Sequence, residues 1–119
     1  MKSYRDLIVW QKSMLMVTLV YTLLKQFPDD EKFGLTSQIK RSSISIPSNI
    51  AEGYGRKYTK EYNRFLQVAR GSLFELQTQL QIAVNLKFAN EKDVLEIKNI
   101  SIEIEKMLNT LIKKLIPSN

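Results

Sequence analysis

The chain has 119 residues, 44% of them hydrophobic, which bounds it to a single domain with an ordinary core and argues against disorder. It contains no cysteine and no histidine, which excludes disulfides, thiolate metal sites and the commonest general base. A formal charge of +6 favours a polyanionic partner, nucleic acid or an anionic membrane surface, over a plain solvated basic face.

In chain order, Leu7, Trp10, Met14, Val17, Tyr21 and Leu24 recur at alternating spacings of three and four. They predict a first helix over about residues 6–26, with Ile8, Leu15 and Leu19 widening its buried face. Its apolar run from Met14 to Leu24 is well short of the ~20 residues that cross a bilayer. No small-residue cleavage pattern follows, so a soluble, cytoplasmic protein without a membrane partner is expected. Pro28, Asp29 and Asp30 then turn the chain.

A second helix is predicted over about 34–54, its seam formed by Leu35, Ile39, Ser42, Ile46, Ile50 and Gly53. A third, over about 59–87, has Thr59 as candidate N-cap and a seam of Tyr62, Phe65 or Leu66, Ala69, Leu73, Leu76, Leu80 and Ala83. The fourth, over about 91–115, has Asn90 as N-cap and carries Ile97, Ile104, Leu108, Leu111 and Leu115 inward. No segment alternates like a strand, and the connections are short. The expectation is an all-α, antiparallel up-down-up-down four-helix bundle forming one domain over residues 1–119.

Pro47 interrupts the second helix and crowds the carbonyl of Ser43, a defect of ~3 kcal/mol. Either the helix stops and restarts, or it runs through with a kink at Pro47. The seam keeps phase across the proline, which favours one kinked helix, with Ser42, Ser43, Ser45 and Ser48 offering hydroxyls to the freed carbonyls. Glu52 shows no obvious partner within its helix, and a bond to Asn49, Arg64 or Arg70 is expected. It reads as structural rather than catalytic, and no tuned acid or base is in view, so an enzyme is not expected. "EGYGRK", Glu52 to Lys57, superficially resembles a phosphate-cradling loop, but such loops follow a strand. Gly53 and Gly55 read instead as the terminators of the second helix. Gly71, mid-helix beside Ser72, suggests close approach of another helix, inside the bundle or from a neighbouring subunit.

The charge is concentrated. Residues 40–70 hold seven cations (Lys40, Arg41, Arg56, Lys57, Lys60, Arg64 and Arg70) against Glu52 and Glu61, a net +5, whereas residues 71–119 hold six of each sign. Arg56, Lys60, Arg64 and Gln67 follow a four-four-three spacing that predicts a stripe suited to phosphates. Tyr54 and Tyr58 lie among these cations, where aromatic rings either stack on bases or join the core.

The stretch Phe27 to Gly53, "FPDDEKFGLTSQIKRSSISIPSNIAEG", together with Arg64 to Ala83 and Lys106 to Leu115, resembles the 23S rRNA intervening-sequence proteins, a four-helix-bundle family often labelled S23 ribosomal protein. That family is similar to the accessory variability determinant proteins of diversity-generating retroelements, which form basic homopentameric barrels binding nucleic acid and a reverse transcriptase. The resemblance implies a homopentamer, a basic nucleic-acid-binding surface with RNA favoured over DNA, no cofactor and no enzymatic activity. It also admits a protein partner such as a reverse transcriptase. Pro47, Asn49, Glu52, Gly53, Gly71, Ser72 and Glu75 match the family pattern and are read as fold and assembly residues.

Overall fold

The computed structural model describes residues 3–116. It consists of α1 (Ile8–Leu24), α2 (Leu35–Tyr54), α3 (Thr59–Asn85) and α4 (Glu91–Leu115), with 3-10 turns at Tyr4–Asp6 and Asp29–Glu31. Among the described residues no strand forms. Each helix packs on the next, and α1 closes the ring against α4. The molecule measures 48 × 22 × 21 Å. At 1.5 Å per residue α3 alone is ~40 Å long, so the helices run along the long axis and the bundle has two distinct ends. The starts of α1 and α3 share one end with the finishes of α2 and α4.

The predicted seams of α2 and α3 are the buried ones: Ile39, Ile46, Ile50, Leu66, Ala69, Leu73 and Leu76 are fully enclosed. The phase of α1 differs from expectation. Its inner face is Val9, Ser13, Met16, Val20, Leu23 and Leu24. Of the expected positions Leu7 and Leu24 are buried and Trp10 and Leu19 pack against the core, whereas Ile8, Met14 and Leu15 are exposed. This helix is apolar nearly all round, so periodicity alone leaves its rotation open. Ser13 is enclosed because its hydroxyl donates to the Val9 carbonyl at 2.7 Å.

Of the two arrangements open to α2, the chain adopts the uninterrupted one, with Pro47 inside the helix and buried. The serines do something other than relieve the Ser43 carbonyl. Ser42 and Ser43 donate to the carbonyls of Ile39 and Lys40, three residues back. Ser42 also reaches Gln79 at 2.7 Å, and Ser45 meets Ser72 at 2.8 Å, so these hydroxyls stitch α2 to α3. Asn49 extends the seam by donating to the Ser45 carbonyl and hydroxyl at 2.7 and 2.9 Å.

Gly53 is not a terminator: α2 continues to Tyr54, and neither Gly53 nor its cap Gly55 adopts positive φ. What Gly53 provides is a missing side chain. A Cβ there would lie 2.6 Å from the Phe65 Cβ and 3.1 Å from the Tyr62 ring, so only glycine lets α2 and α3 approach this closely. Gly71 is the opposite case. A Cβ there meets nothing within 4 Å, so no helix of the bundle packs on it.

The far end is closed by local hydrogen bonds. At the finish of α3, Lys87 takes positive φ (64°), and the amides of Lys87 and Phe88 return to the Val84 and Ala83 carbonyls. This is a Schellman turn built on lysine where glycine is usual. Asn90 caps α4 as expected, in a reciprocal box with Asp93. Gln26, from the α1 end, also donates to Asp93 at 3.1 Å. These bonds, that of the Asn90 backbone first, hold the Asp93 carboxyl below the usual carboxylate range.

Candidate nucleic-acid interface

The turn from α2 to α3 carries Arg56, Lys57 and Tyr58, and the first two turns of α3 add Lys60 and Arg64. All five are exposed. The α3 N-cap is Tyr58, one residue before the predicted Thr59. Arg56 therefore precedes α3 and is held by two contacts. Its guanidinium donates to Glu52 at 2.8 Å, and its Cζ lies 4.8 Å from the Phe65 ring centroid. Glu52 is thus partnered by Arg56, one helical turn on, and not by Asn49, Arg64 or Arg70. Arg64 covers the same ring at 5.6 Å, and Lys57 approaches the Tyr58 ring at 5.6 Å. Beneath them Tyr54 and Tyr62 meet edge-on, centroids 5.9 Å apart. Burial, and secondarily Tyr54, pushes the Tyr62 phenol above its ordinary value, so it stays neutral at physiological pH.

Three of the predicted cations lie elsewhere. Lys40 and Arg41 sit fourteen and thirteen residues before the end of α2, ~20 Å away along its axis. Lys40 packs over the Tyr21 ring at 5.3 Å and Arg41 donates to Gln38. Arg70 is half-buried and donates to Asn109 of α4 at 2.9 Å, which makes it a strut between helices.

The fold supplies replacements that linear charge counting misses. Asn63 donates to the Ile112 carbonyl at 3.2 Å, which sets the finish of α4 beside the start of α3. Lys113 and Lys114, exposed in the last turn of α4, therefore join Lys60 and Arg64. A cleft of about 790 Å³ opens between the start of α3 and the finish of α4, with Lys60, Glu61 and Arg64 on one wall and Leu115 and Ile116 on the other. With Arg5 in the preceding 3-10 turn, this end holds seven cations against Asp6, Glu52 and Glu61, a net +4. The opposite end carries Lys25, Lys32, Lys87 and Lys92 against Asp29, Asp30, Glu31, Glu91 and Asp93, a net −1. The charge runs along the bundle rather than around it.

Among the described residues no group of acidic side chains is placed to hold a metal ion, and no helix is long and apolar enough to cross a membrane. Fold and charge together define a small all-helical bundle with one basic end. The chain belongs to the 23S rRNA-intervening sequence protein family, whose sequence model matches residues 5–110. It is similar to a solved protein of unknown function from the S23 ribosomal protein family of Bacteroides thetaiotaomicron VPI-5482. The two share 27% identity and a TM-score of 0.82, over 89% of this chain and 99% of that one. No curated protein matches at a significant level.

The most diagnostic stretch of the sequence, Ser45 to Gly53, has a physical reading in this fold. Ile46 and Ile50 fill the core, Ser45 bonds Ser72 of α3 and is itself held by Asn49, Glu52 holds Arg56, and Gly53 admits Phe65.

Proposed function

We propose that this protein is a non-enzymatic, cytoplasmic nucleic-acid-binding bundle whose basic end contacts phosphates, with RNA its principal ligand. The single observation that carries the reading is the gathering of Arg56, Lys57, Lys60, Arg64, Lys113 and Lys114 at one end, with the opposite end net negative. Clustered cations of this kind bind phosphates largely without reading sequence. Family membership supports self-association, for which we propose a homopentamer. Gly71 and Glu75 lie on an exposed face of α3, and a mid-helix glycine with nothing packed against it is suited to a neighbouring subunit.

Charge reversal tests the reading directly. Lys57→Glu, Lys60→Glu and Arg64→Glu combined should abolish RNA binding at low salt while helical content stays intact. Unchanged affinity would mean that this end is not the site. Light scattering tests assembly, and a single 13.8 kDa species at all concentrations would exclude the pentamer.

A second reading, an adaptor for a protein partner such as a reverse transcriptase, is favoured by a different feature. A groove of about 490 Å³ opens between α3 and α4, with Val84, Leu95 and Ile102 among its walls. It would give a complex insensitive to salt, which a pull-down at low and high salt separates from phosphate binding.

A further inference from the structure

The turn at the basic end breaks a local rule. Tyr58 is the N-cap of α3, with extended backbone (φ −110°, ψ 140°) and no side-chain capping bond. Ser, Thr, Asp or Asn at that position would satisfy one of the orphan amides of the first turn. Tyrosine supplies no such bond. Neither does the ring serve the core: it is 60% exposed, whereas Tyr54 and Tyr62 pack against the core and on each other. Its neighbour is the Lys57 ammonium, and Arg56, Lys60 and Arg64 all lie within six residues of it. An exposed aromatic ring with one ammonium 5.6 Å from its centroid and further cations on the adjoining turns matches the chemistry of an unpaired strand, whose bases present open π-faces beside phosphates. A duplex keeps those faces inside its own stack.

We propose that the basic end takes single-stranded rather than duplex nucleic acid, with one base stacked on Tyr58 and the flanking phosphates held by Lys57, Lys60 and Arg64. The proposal rests on the nucleic-acid reading above and adds to it the ligand's strandedness and a stacking residue. Lys60 and Arg64, one turn apart with ~6 Å of axial rise, lead the strand along α3 from the stacked base. Arg56 is already engaged by Glu52 and Phe65 and serves as a fixed wall to the platform.

Fluorescence anisotropy with labelled short oligo(A), oligo(dA) and an oligo(A)–oligo(U) duplex, at low salt, tests this on the whole chain. Tyr58 uses its side chain for neither cap nor core, so its variants should keep wild-type helicity. Tyr58→Ala should weaken both single strands about tenfold, or ~1.4 kcal/mol, in the range for one stacked base. Tyr58→Phe should bind like wild type, and both variants should bind duplex unchanged. The two sugars separate the sources: a single strand whose affinity Tyr58→Ala leaves unchanged is not the ligand, and no change on either overturns the proposal. Equal loss on duplex, or a Tyr58→Phe loss as large as that of Ala, also overturns it. Failure of the underlying reading looks different, because the wild-type protein would then bind none of the three probes.

Discussion

Where α3 hands over to α4, the backbone is closed by local bonds: a Schellman turn at Lys87, a capping box between Asn90 and Asp93, and Gln26 bridging from α1. On the same side the Glu31 carboxylate accepts the Leu35 amide at 3.1 Å at the start of α2. The other end caps its 3-10 turn with the Ser3 hydroxyl but gives α3 no side-chain cap. There α3 begins at an uncapped tyrosine, and α2 finishes by pressing Gly53 onto Phe65, beneath an exposed layer of cations. Both ends depart from local preference, the near-neutral one at Lys87 with its positive φ. Only at the other does the departure, an uncapped tyrosine, fall where the charge is gathered. Departures of this kind concentrate at functional sites, because selection there acts on something other than stability.

The largest effect should come from exchanging the charges. Reversing Lys57, Lys60 and Arg64 should cost about 100-fold or more in RNA affinity at low salt. Reversing Lys25, Lys32 and Lys92 at the other end should change it by less than about twofold. Equal losses in a filter-binding titration would dissolve the distinction between the ends.

The two helical glycines should respond with opposite signs. Gly53→Ala should destabilise by about 1–2 kcal/mol, because overpacking against Phe65 exceeds the gain in helix propensity. Gly71→Ala should stabilise by about 1 kcal/mol in an isolated protomer. Denaturant unfolding reads both. A destabilised Gly71→Ala protein that also shifts to smaller species in light scattering would place a neighbouring subunit on Gly71.

Cap substitutions sharpen the contrast further. Asn90→Ala should cost about 1 kcal/mol by removing a working cap, whereas Tyr58→Asn should raise stability by up to about 1 kcal/mol by creating one. Tyr58→Asn should at the same time weaken single-strand binding, so melting temperature and affinity should move in opposite directions. The smallest effect is that of pH. Asp93 has a depressed pKa, so its contribution is fully present above the usual carboxylate range and is lost as pH falls below that range through the depressed value. Asp93→Asn should flatten the acid limb of the stability profile, measured by thermal melts from neutral pH downwards.

Much of the fold is legible in the sequence because α2 and α3 each carry one clean apolar stripe. Ile39, Ile46 and Ile50 and Leu66, Leu73 and Leu76 are buried where their spacing puts them. α1 is not legible to the same degree. With Ile8, Met14 and Leu15 as apolar as Val9, Met16 and Val20, its rotation is decided by packing, and Ser13 turns inward because its hydroxyl can bond the helix itself. The candidate site was half visible. Arg56, Lys57, Lys60 and Arg64 are neighbours in sequence and in space. Arg70 is drawn aside by Asn109, and Lys113 and Lys114 arrive only through the antiparallel course of α4. The role of Gly53 depends on the distance to Phe65, a contact across two helices that composition does not encode.

The central claim is that phosphates dock on the basic end, and the salt dependence of wild-type binding to a short single-stranded RNA tests it most directly. Three or four neutralised phosphates on a single strand predict that log K falls linearly with log salt, with a slope of about −2 to −3. The Lys57, Lys60 and Arg64 reversal should lose both the affinity and most of that slope. A slope near zero in the wild-type protein, or one that the reversal leaves unchanged, would contradict the account.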